Sequence, residues 1–170
     1  MPDISQRMRG RAWLFGNDVS TDHIFPGRYV HLLSNLPELT KHTLEDARAD
    51  YAASVKPGDL VVAGENFGMG SSREQAALII KMSGASAVIA KSFARIFFRN
   101  SINNGLPLIE TDTSGIDDGD ILEVELNAGK LKNVTQGWER QFNPLPKIMT
   151  DILADGGLVA HIKKHGDFNL

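Results

Sequence analysis

The residues best suited to chemistry lie in one stretch, GENFGMGSSREQA, at positions 64–76. It combines glycines with two serines, an arginine and a glutamate, directly before an apolar run typical of a helix. Free backbone N–H groups and the positive end of a helix dipole face such a loop, and both favour a bound anion. Ser71, Ser72 and Arg73 add two hydroxyls and a cation. The stretch therefore predicts an anion site at a strand-to-helix turn.

Three familiar loop motifs do not fit this stretch. A Walker A loop needs a second glycine where Met69 stands, and no lysine follows. A dinucleotide fingerprint needs a small residue in place of Arg73, and the nucleophile elbow Gly-x-Ser-x-Gly is not met by GSSRE. A purely structural interpretation stays open, in which the glycines form a tight turn, Ser71 or Ser72 caps the helix, and Glu74 lies in its first turn.

Thiol and metal chemistry are only weakly indicated elsewhere. The sequence has no cysteine, which excludes thiolate zinc sites, cysteine nucleophiles and cysteine-held iron–sulfur clusters within it. Among the histidines, only His161 and His165 have i, i+4 spacing. They lie in a lysine-rich terminal segment that we expect to be a solvated helix, so we predict no metal ligand in this chain. A histidine could still activate a serine, and the sequence leaves open which one.

Composition predicts one ordinary globular domain spanning 1–170. The chain is 42% hydrophobic and 23% charged over 170 residues, which suffices for a single core. A net charge of -3 argues against nucleic acid as a partner. Apolar runs fall far short of the ~20 residues of a membrane span, and the first residues lack the apolar core of a secretory signal. We therefore expect a cytoplasmic protein with a small-molecule or protein partner and no membrane contact.

The elements that must position the glycine-rich loop alternate between strand and helix. Strands are predicted at 10–15, 60–63, 87–90 and 108–110, with helices at 72–83 and 93–103 that end at Gly84 and Gly105. This alternation implies parallel strands in an α/β domain with a mixed sheet.

The flanking segments have weaker patterns. The stretch 16–29 is predicted to be an irregular loop. Residues 35–51 are predicted to form a surface helix with Thr43 as a cap. The tail indicates two or three strands joined by a hairpin at NAGK, 127–130, and then one or two closing helices.

Three separated motifs resemble the aconitase superfamily. STDHI at 20–24, GENFGMGSSRE at 64–74 and AKSFARIFFRNSINNGLP at 90–107 occur in the order found in that superfamily. More narrowly, the chain from about Arg11 to its last helix is similar to the small subunits of 3-isopropylmalate dehydratases. The resemblance implies a single swivelling β/β/α domain, with a mixed, partly parallel sheet flanked by helices. It also implies docking to a large subunit that holds a [4Fe-4S] cluster, with no cofactor bound by this chain.

The resemblance gives the glycine-rich loop a chemical role. Reversible dehydration of a hydroxy-dicarboxylate or tricarboxylate needs a Lewis acid for the hydroxyl and a base for a carbon-bound proton. By resemblance, Ser71 is that base, acting as a deprotonated hydroxyl that backbone N–H groups, a helix N-terminus and Arg73 stabilise. Arg73 also binds a substrate carboxylate, Ser72 contacts substrate, and Gly68 and Gly70 permit close approach of the backbone.

Four further residues are carried over from the same resemblance. Thr21, Asp22 and His23 match a Thr-Asp-His segment, in which Thr21 and His23 contact substrate. Asp22 is expected to orient an arginine or the serine, although a role in capping its loop is an equal alternative. Arg95 is expected near the anion site.

The segment RYVHL, at 28–32, leaves the substrate open. In the similar subunits the corresponding segment is attributed to substrate choice, and His31 matches neither the arginine nor the valine found there. We expect an isopropylmalate dehydratase, with homoaconitase, citramalate and dimethylmalate types as alternatives. A carboxylate-binding module without catalysis and a stand-alone serine hydrolase are alternatives from other classes.

Overall fold

The described residues, 7–71 and 73–166, form one seven-stranded sheet in a computed structural model. Its strands are β1 Arg7–Leu14, β2 Leu60–Val62, β3 Ala87–Ala90, β4 Leu108–Glu110, β5 Ile121–Glu125, β6 Lys130–Asn133 and β7 Trp138–Gln141. The spatial order is β4-β3-β2-β1-β5-β6-β7, with parallel pairing from β4 to β1 and antiparallel pairing from β1 to β7. The predicted mixed, partly parallel sheet is confirmed.

The helices flank both faces of this sheet. They are α1 Thr21–Ile24, a 3-10 helix Gly27–Leu32, α2 Leu36–Thr40, α3 Tyr51–Ser54, α4 Glu74–Met82, α5 Arg95–Asn103, α6 Lys147–Ala154 and α7 Leu158–His165. None of these described helices is long and apolar enough to cross a bilayer.

Two apolar cores lie on opposite faces because successive strand side chains alternate in direction. Val61 and Val88 point into the core beneath α4, while Leu60 and Ile89 point into the core beneath α6. The parallel strands are therefore buried on both sides, which explains their uninterrupted apolar runs. α5 joins the two cores, since it contributes Phe97 to the first and Ile102 to the second.

Several predicted boundaries are confirmed and others are wrong by a few residues. The strands at 87–90 and 108–110, the hairpin at 127–130 and the two closing helices match the structure. β1 begins at Arg7, earlier than predicted, because its first residues pair with β5 rather than with β2. α5 begins at Arg95, two residues later than predicted.

The predicted surface helix over 35–51 is wrong. The segment holds only the short α2 and the start of α3, separated by turns, and it buries Leu39, Leu44 and Tyr51. Thr43 caps no helix, because it is buried and its hydroxyl donates to the carbonyl of Thr40. The apolar residues of this segment are scattered among polar ones, yet they pack into the core of the domain. Their spacing along the sequence does not reveal that packing.

Candidate active site

The glycine-rich loop runs from β2 to α4 and is held by backbone hydrogen bonds on both sides. Gly68 N–H donates to the Val19 carbonyl at 2.7 Å, and Thr21 N–H donates to the Met69 carbonyl at 2.8 Å. On the other side, the Phe67 carbonyl accepts from Ala94 N–H at 2.9 Å. The loop is therefore fixed between two segments that are distant in sequence.

Gly68 is required by both backbone conformation and space. Its φ is +84°, in the left-handed region that favours glycine. A Cβ atom at this position would lie 2.2 Å from Cγ of Phe97, which is buried against Phe67 and Phe93. The aromatic ring cannot move aside without disturbing this cluster, so the loop and α5 can meet only at a glycine.

We expect Gly68→Ala to lower the free energy of unfolding by about 3 kcal/mol or more, from steric overlap added to backbone strain. Gly119→Ala is the matched control, because Gly119 has a φ of +87° and open space around its missing Cβ. That control should lose only about 1 kcal/mol. Urea unfolding followed by circular dichroism measures both losses, and equal losses would contradict the assigned contact with Phe97.

Ser71 lies at the exposed end of the loop with its backbone anchored. Its carbonyl accepts from the Thr21 hydroxyl at 2.8 Å and from Arg73 N–H at 2.9 Å. The side chain is exposed, and its hydroxyl makes no hydrogen bond to another residue in the described part of the chain. Ser72, predicted to contact substrate, lies outside the described residues. The hydroxyl of Ser71 is thus held in place through its backbone and left open to a ligand.

Two helix N-termini face this region without side-chain caps. α4 begins at Glu74 after Arg73, and α5 begins at Arg95 after Ala94; no described side chain caps either helix. Their first N–H groups retain the positive end of each helix dipole. The structural interpretation in which Ser71 caps α4 is wrong, because the cap position belongs to Arg73. Glu74 does lie in the first turn.

Arg73 is oriented by contacts from the segment around α1. Its Nη1 donates to the Phe25 carbonyl at 3.2 Å, and its Nη2 lies 3.3 Å from Oδ1 of Asp22. The guanidinium also lies 5.2 Å from the centre of the Phe25 ring, within the range of a cation–π contact. The Arg73 side chain remains 30% exposed, so the oriented guanidinium can still receive an anion.

A cavity of about 210 Å³ brings most of the predicted site residues together. The predicted residues that line it are Thr21, Gly70, Ser71, Arg73 and Arg95. The remaining lining residues are Gly68, predicted to permit close approach of the backbone, and four residues with no predicted role in the site, Ala94, Ile96, Phe97 and Asn100. Ile96 and Asn100 have the i, i+4 spacing of one helix face, and this spacing is the sequence signal that could have identified them as lining residues. Roles in catalysis and substrate binding stay predictions.

Two predicted substrate contacts do not line this cavity. His23 Nδ1 accepts a hydrogen bond from Ser20 N–H at 2.9 Å, as part of the capping box of α1. His31 lies exposed on the 3-10 helix. The prediction of an irregular loop at 16–29 is wrong in part, because α1 and the first residues of the 3-10 helix lie within it.

The 3-10 helix is attached to the turns that follow α2. Arg28 donates to both carboxylate oxygens of Asp46, at 2.8 and 2.7 Å. This pairing raises the pKa of Arg28 and lowers the pKa of Asp46. Tyr29 stacks on His42 with ring centres 3.8 Å apart. The charge of Arg28 is thus matched within the chain, and His31 is the remaining polar residue of the RYVHL segment.

Larger depressions lie elsewhere on the surface. A groove of about 390 Å³ crosses the open face of the antiparallel strands and is lined by charged side chains of both signs. Another, of about 760 Å³, lies beside α6 and α7. There the prediction of solvated terminal histidines is wrong for His161, which is 1% exposed and hydrogen-bonded to Asp155. Neither depression contains the serine and helix N-termini that the 210 Å³ cavity combines.

Comparison with known proteins places these features in a family. The model of the aconitase C-terminal domain matches residues 15–114, which include the loop, α1 and α5. A curated relative from Archaeoglobus fulgidus, named 3-isopropylmalate dehydratase small subunit 2, is 59% identical over 96% of this chain and 99% of its own length. A relative from Methanothermobacter thermautotrophicus, named methanogen homoaconitase small subunit, is 50% identical over 92% of this chain and 91% of its own length.

A solved structure supports the same assignment of fold. The crystal structure of a 3-isopropylmalate dehydratase from Methanocaldococcus jannaschii superposes with a TM-score of 0.90 at 45% identity. The match covers 94% of this chain and 95% of that chain.

Proposed function

The chain belongs to the aconitase C-terminal domain family, and from this premise we propose that it is the small subunit of a 3-isopropylmalate dehydratase. Such a hydro-lyase interconverts 2-isopropylmalate and 3-isopropylmalate by dehydration and rehydration, in leucine biosynthesis. The observation that carries the proposal is the open hydroxyl of Ser71, in a cavity flanked by Arg73 and by two helix N-termini that no described side chain caps. We place the protein in the cytoplasm.

A large subunit must complete the enzyme. The chain has no cysteine and therefore no thiolates for an iron–sulfur cluster, so we assign the [4Fe-4S] cluster to the partner. When bound, the cluster supplies the Lewis acid that accepts the substrate hydroxyl. The small subunit then contributes the base and the contacts to the substrate carboxylates.

Ser71 is the proposed base. In dehydration its alkoxide takes the proton from the carbon next to a carboxylate, the C–O bond on the neighbouring carbon breaks, and a double bond forms. In rehydration the same hydroxyl returns the proton as water adds. An alkoxide needs strong stabilisation near neutral pH, and the N–H groups of α4 and α5 with the charge of Arg73 supply it.

The residues near Ser71 bind the substrate or position the side chains that do so. Arg73 receives a substrate carboxylate through its planar guanidinium, and Asp22 orients that guanidinium. Thr21 holds the Ser71 carbonyl, which favours a positioning role for its hydroxyl. Arg95 adds positive charge at the cavity wall. We retain the predicted contacts of Ser72, His23, His31 and Gly70 with substrate as part of the proposal.

A homoaconitase-type small subunit is the second candidate. It is supported by the 50% identical relative that carries that name and by His31, which matches neither pattern expected in the RYVHL segment. Because Arg28 is paired with Asp46, a substrate with an additional carboxylate would have to use another cation. This pairing favours isopropylmalate over a substrate with an additional carboxylate.

Anaerobic reconstitution with a large subunit tests the proposal. We expect dehydration of isopropylmalate at a kcat/KM above that of homocitrate, citramalate and dimethylmalate. Faster turnover of homocitrate would select the second candidate. Tight binding of these acids by the isolated chain, with no turnover in the complex, would instead indicate a binding module. Labelling of Ser71 by a phosphonyl reagent without any partner would indicate a serine hydrolase.

Substitutions of His31 test the origin of the preference. We expect His31→Val to raise the kcat/KM ratio of isopropylmalate to homocitrate by about tenfold, because a valine suits an isopropyl group. His31→Arg should lower the same ratio, since a guanidinium favours an extra carboxylate. Steady-state kinetics on both substrates measures the ratio. An unchanged ratio in both variants would remove the specificity role from His31 and leave the proposed reaction standing.

A further inference from the structure

A second cluster of chemically active side chains lies far along the sequence from the proposed catalytic loop. The Nδ1–H of His161 donates to Oδ2 of Asp155 at 2.7 Å, and the Nε2–H of His165 donates to the same oxygen at 3.0 Å. One potential ligand atom from each of the three residues lies within 4.8 Å of the other two. The cavity beside them shares no lining residue with the cavity at Ser71.

The turn between α6 and α7 brings the three residues together. Asp155 follows the last residue of α6, while His161 and His165 lie one helical turn apart on α7. Gly157 directly precedes α7 with a φ of +131°, and a Cβ atom there would lie 2.6 Å from the Asn103 carbonyl oxygen of α5. The turn therefore packs closely against α5.

The cluster is partly enclosed and accessible from one direction. His161 is almost fully buried and Asp155 is 8% exposed, whereas the His165 side chain is 29% exposed at the cavity edge. The cavity of about 760 Å³ offers room for water molecules to complete a coordination shell.

The ligand chemistry suits a divalent transition metal. The Asp155 carboxylate lies at the centre of the cluster, where it accepts hydrogen bonds from His161, Lys164 and His165. Two imidazoles with one carboxylate suit zinc, cobalt and nickel better than magnesium or calcium, which prefer oxygen ligands. Tetrahedral metal–ligand bonds of about 2.0–2.2 Å place ligand atoms about 3.4 Å apart, and the two histidine nitrogens lie 2.7 and 3.0 Å from Oδ2 of Asp155.

We propose that Asp155, His161 and His165 bind one divalent transition-metal ion of the zinc class. The ion ties α7 to the end of α6, and it is distinct from the cluster assigned to the large subunit. The proposal does not rest on the proposed function, because it concerns only residues of this chain and no turnover.

Two features limit the affinity of this site. Nζ of Lys164 lies 3.0 Å from Oδ1 of Asp155 and competes with a cation for the carboxylate. Nε2 of His161 is buried with no hydrogen-bond partner among the described residues, and ligation through Nδ1 leaves the ring proton on that nitrogen. We therefore expect an exchangeable ion rather than one that survives purification.

Calorimetric titration of the tag-free chain with Zn²⁺ tests the site, and titration with Co²⁺ followed by visible absorption reports its geometry. We expect saturation at one ion per chain, a rise in Tm with Zn²⁺ and no response to Mg²⁺. Asp155→Asn and His165→Ala should each weaken Zn²⁺ binding by about tenfold or more. His165 is partly exposed, so its replacement leaves the core intact.

Lysine variants distinguish Zn²⁺ binding at this three-residue site from unspecific Zn²⁺ binding to histidine. Lys164→Ala should tighten Zn²⁺ binding, because it removes the competing cation. Lys163→Ala removes the same charge from the neighbouring exposed position and should leave the affinity unchanged. Equal effects of the two lysine variants, or wild-type affinity in Asp155→Asn and His165→Ala, would overturn the proposal.

Discussion

Ser71→Ala in the reconstituted enzyme is expected to lower kcat for isopropylmalate by about 10²–10⁴-fold, the usual contribution of a general base. The hydroxyl is exposed in the cavity and makes no hydrogen bond to another described residue, so its removal breaks no contact that supports the fold. The backbone of residue 71 stays anchored by the Thr21 hydroxyl. The KM for isopropylmalate should therefore change little. Steady-state kinetics with a fixed amount of large subunit measures both constants.

Two controls make the Ser71 result decisive. Ser54→Ala removes an exposed hydroxyl at the end of α3 and should leave kcat unchanged. Size-exclusion chromatography should show that Ser71→Ala still assembles with the large subunit. A variant that assembles normally and keeps kcat within threefold of the wild type would remove Ser71 from the role of base.

Arg73→Lys is expected to lower kcat/KM by about 10²-fold. A loss of this size corresponds to the free energy of a bidentate carboxylate contact with a charged donor. Lysine keeps the positive charge but not the planar fork, and it cannot contact the Phe25 carbonyl and Asp22 in the same arrangement. The loss should appear largely in KM, because substrate and transition state share this carboxylate.

The matched control for Arg73→Lys is Arg7→Lys, because Arg7 is exposed and lines the groove on the antiparallel strands. It should retain wild-type kinetics. Asp22→Asn, measured in the same series, should give a smaller loss than Arg73→Lys, because the Phe25 carbonyl still orients the guanidinium. If Arg73→Lys keeps kcat/KM within threefold of the wild type, Arg73 does not bind the carboxylate.

The parallel half of the sheet could be predicted from the sequence because its signals are local. β3 and β4 are short apolar runs that each follow a glycine. Both strands are buried on two faces, so their sequences do not alternate with polar residues and their limits are easy to predict. The turn at 127–130 likewise follows from its own residues. The segment 35–51 could not be predicted in this way. Its turns are stabilised by Leu39, Leu44 and Tyr51 in a core built by distant residues.

From the amino-acid sequence alone it follows that a glycine-rich loop with two hydroxyls and a cation precedes a helix, and that the chain has no thiolate. The surroundings of these groups depend on the tertiary fold. The Thr21 hydroxyl meets the Ser71 carbonyl across 50 residues of sequence, and α5 supplies a second helix N-terminus to the same cavity. The burial of His161 against Asp155 also depends on a turn packed against α5. Such contacts arise when helices and loops pack on a common sheet. A local sequence pattern does not indicate which distant segments come into contact.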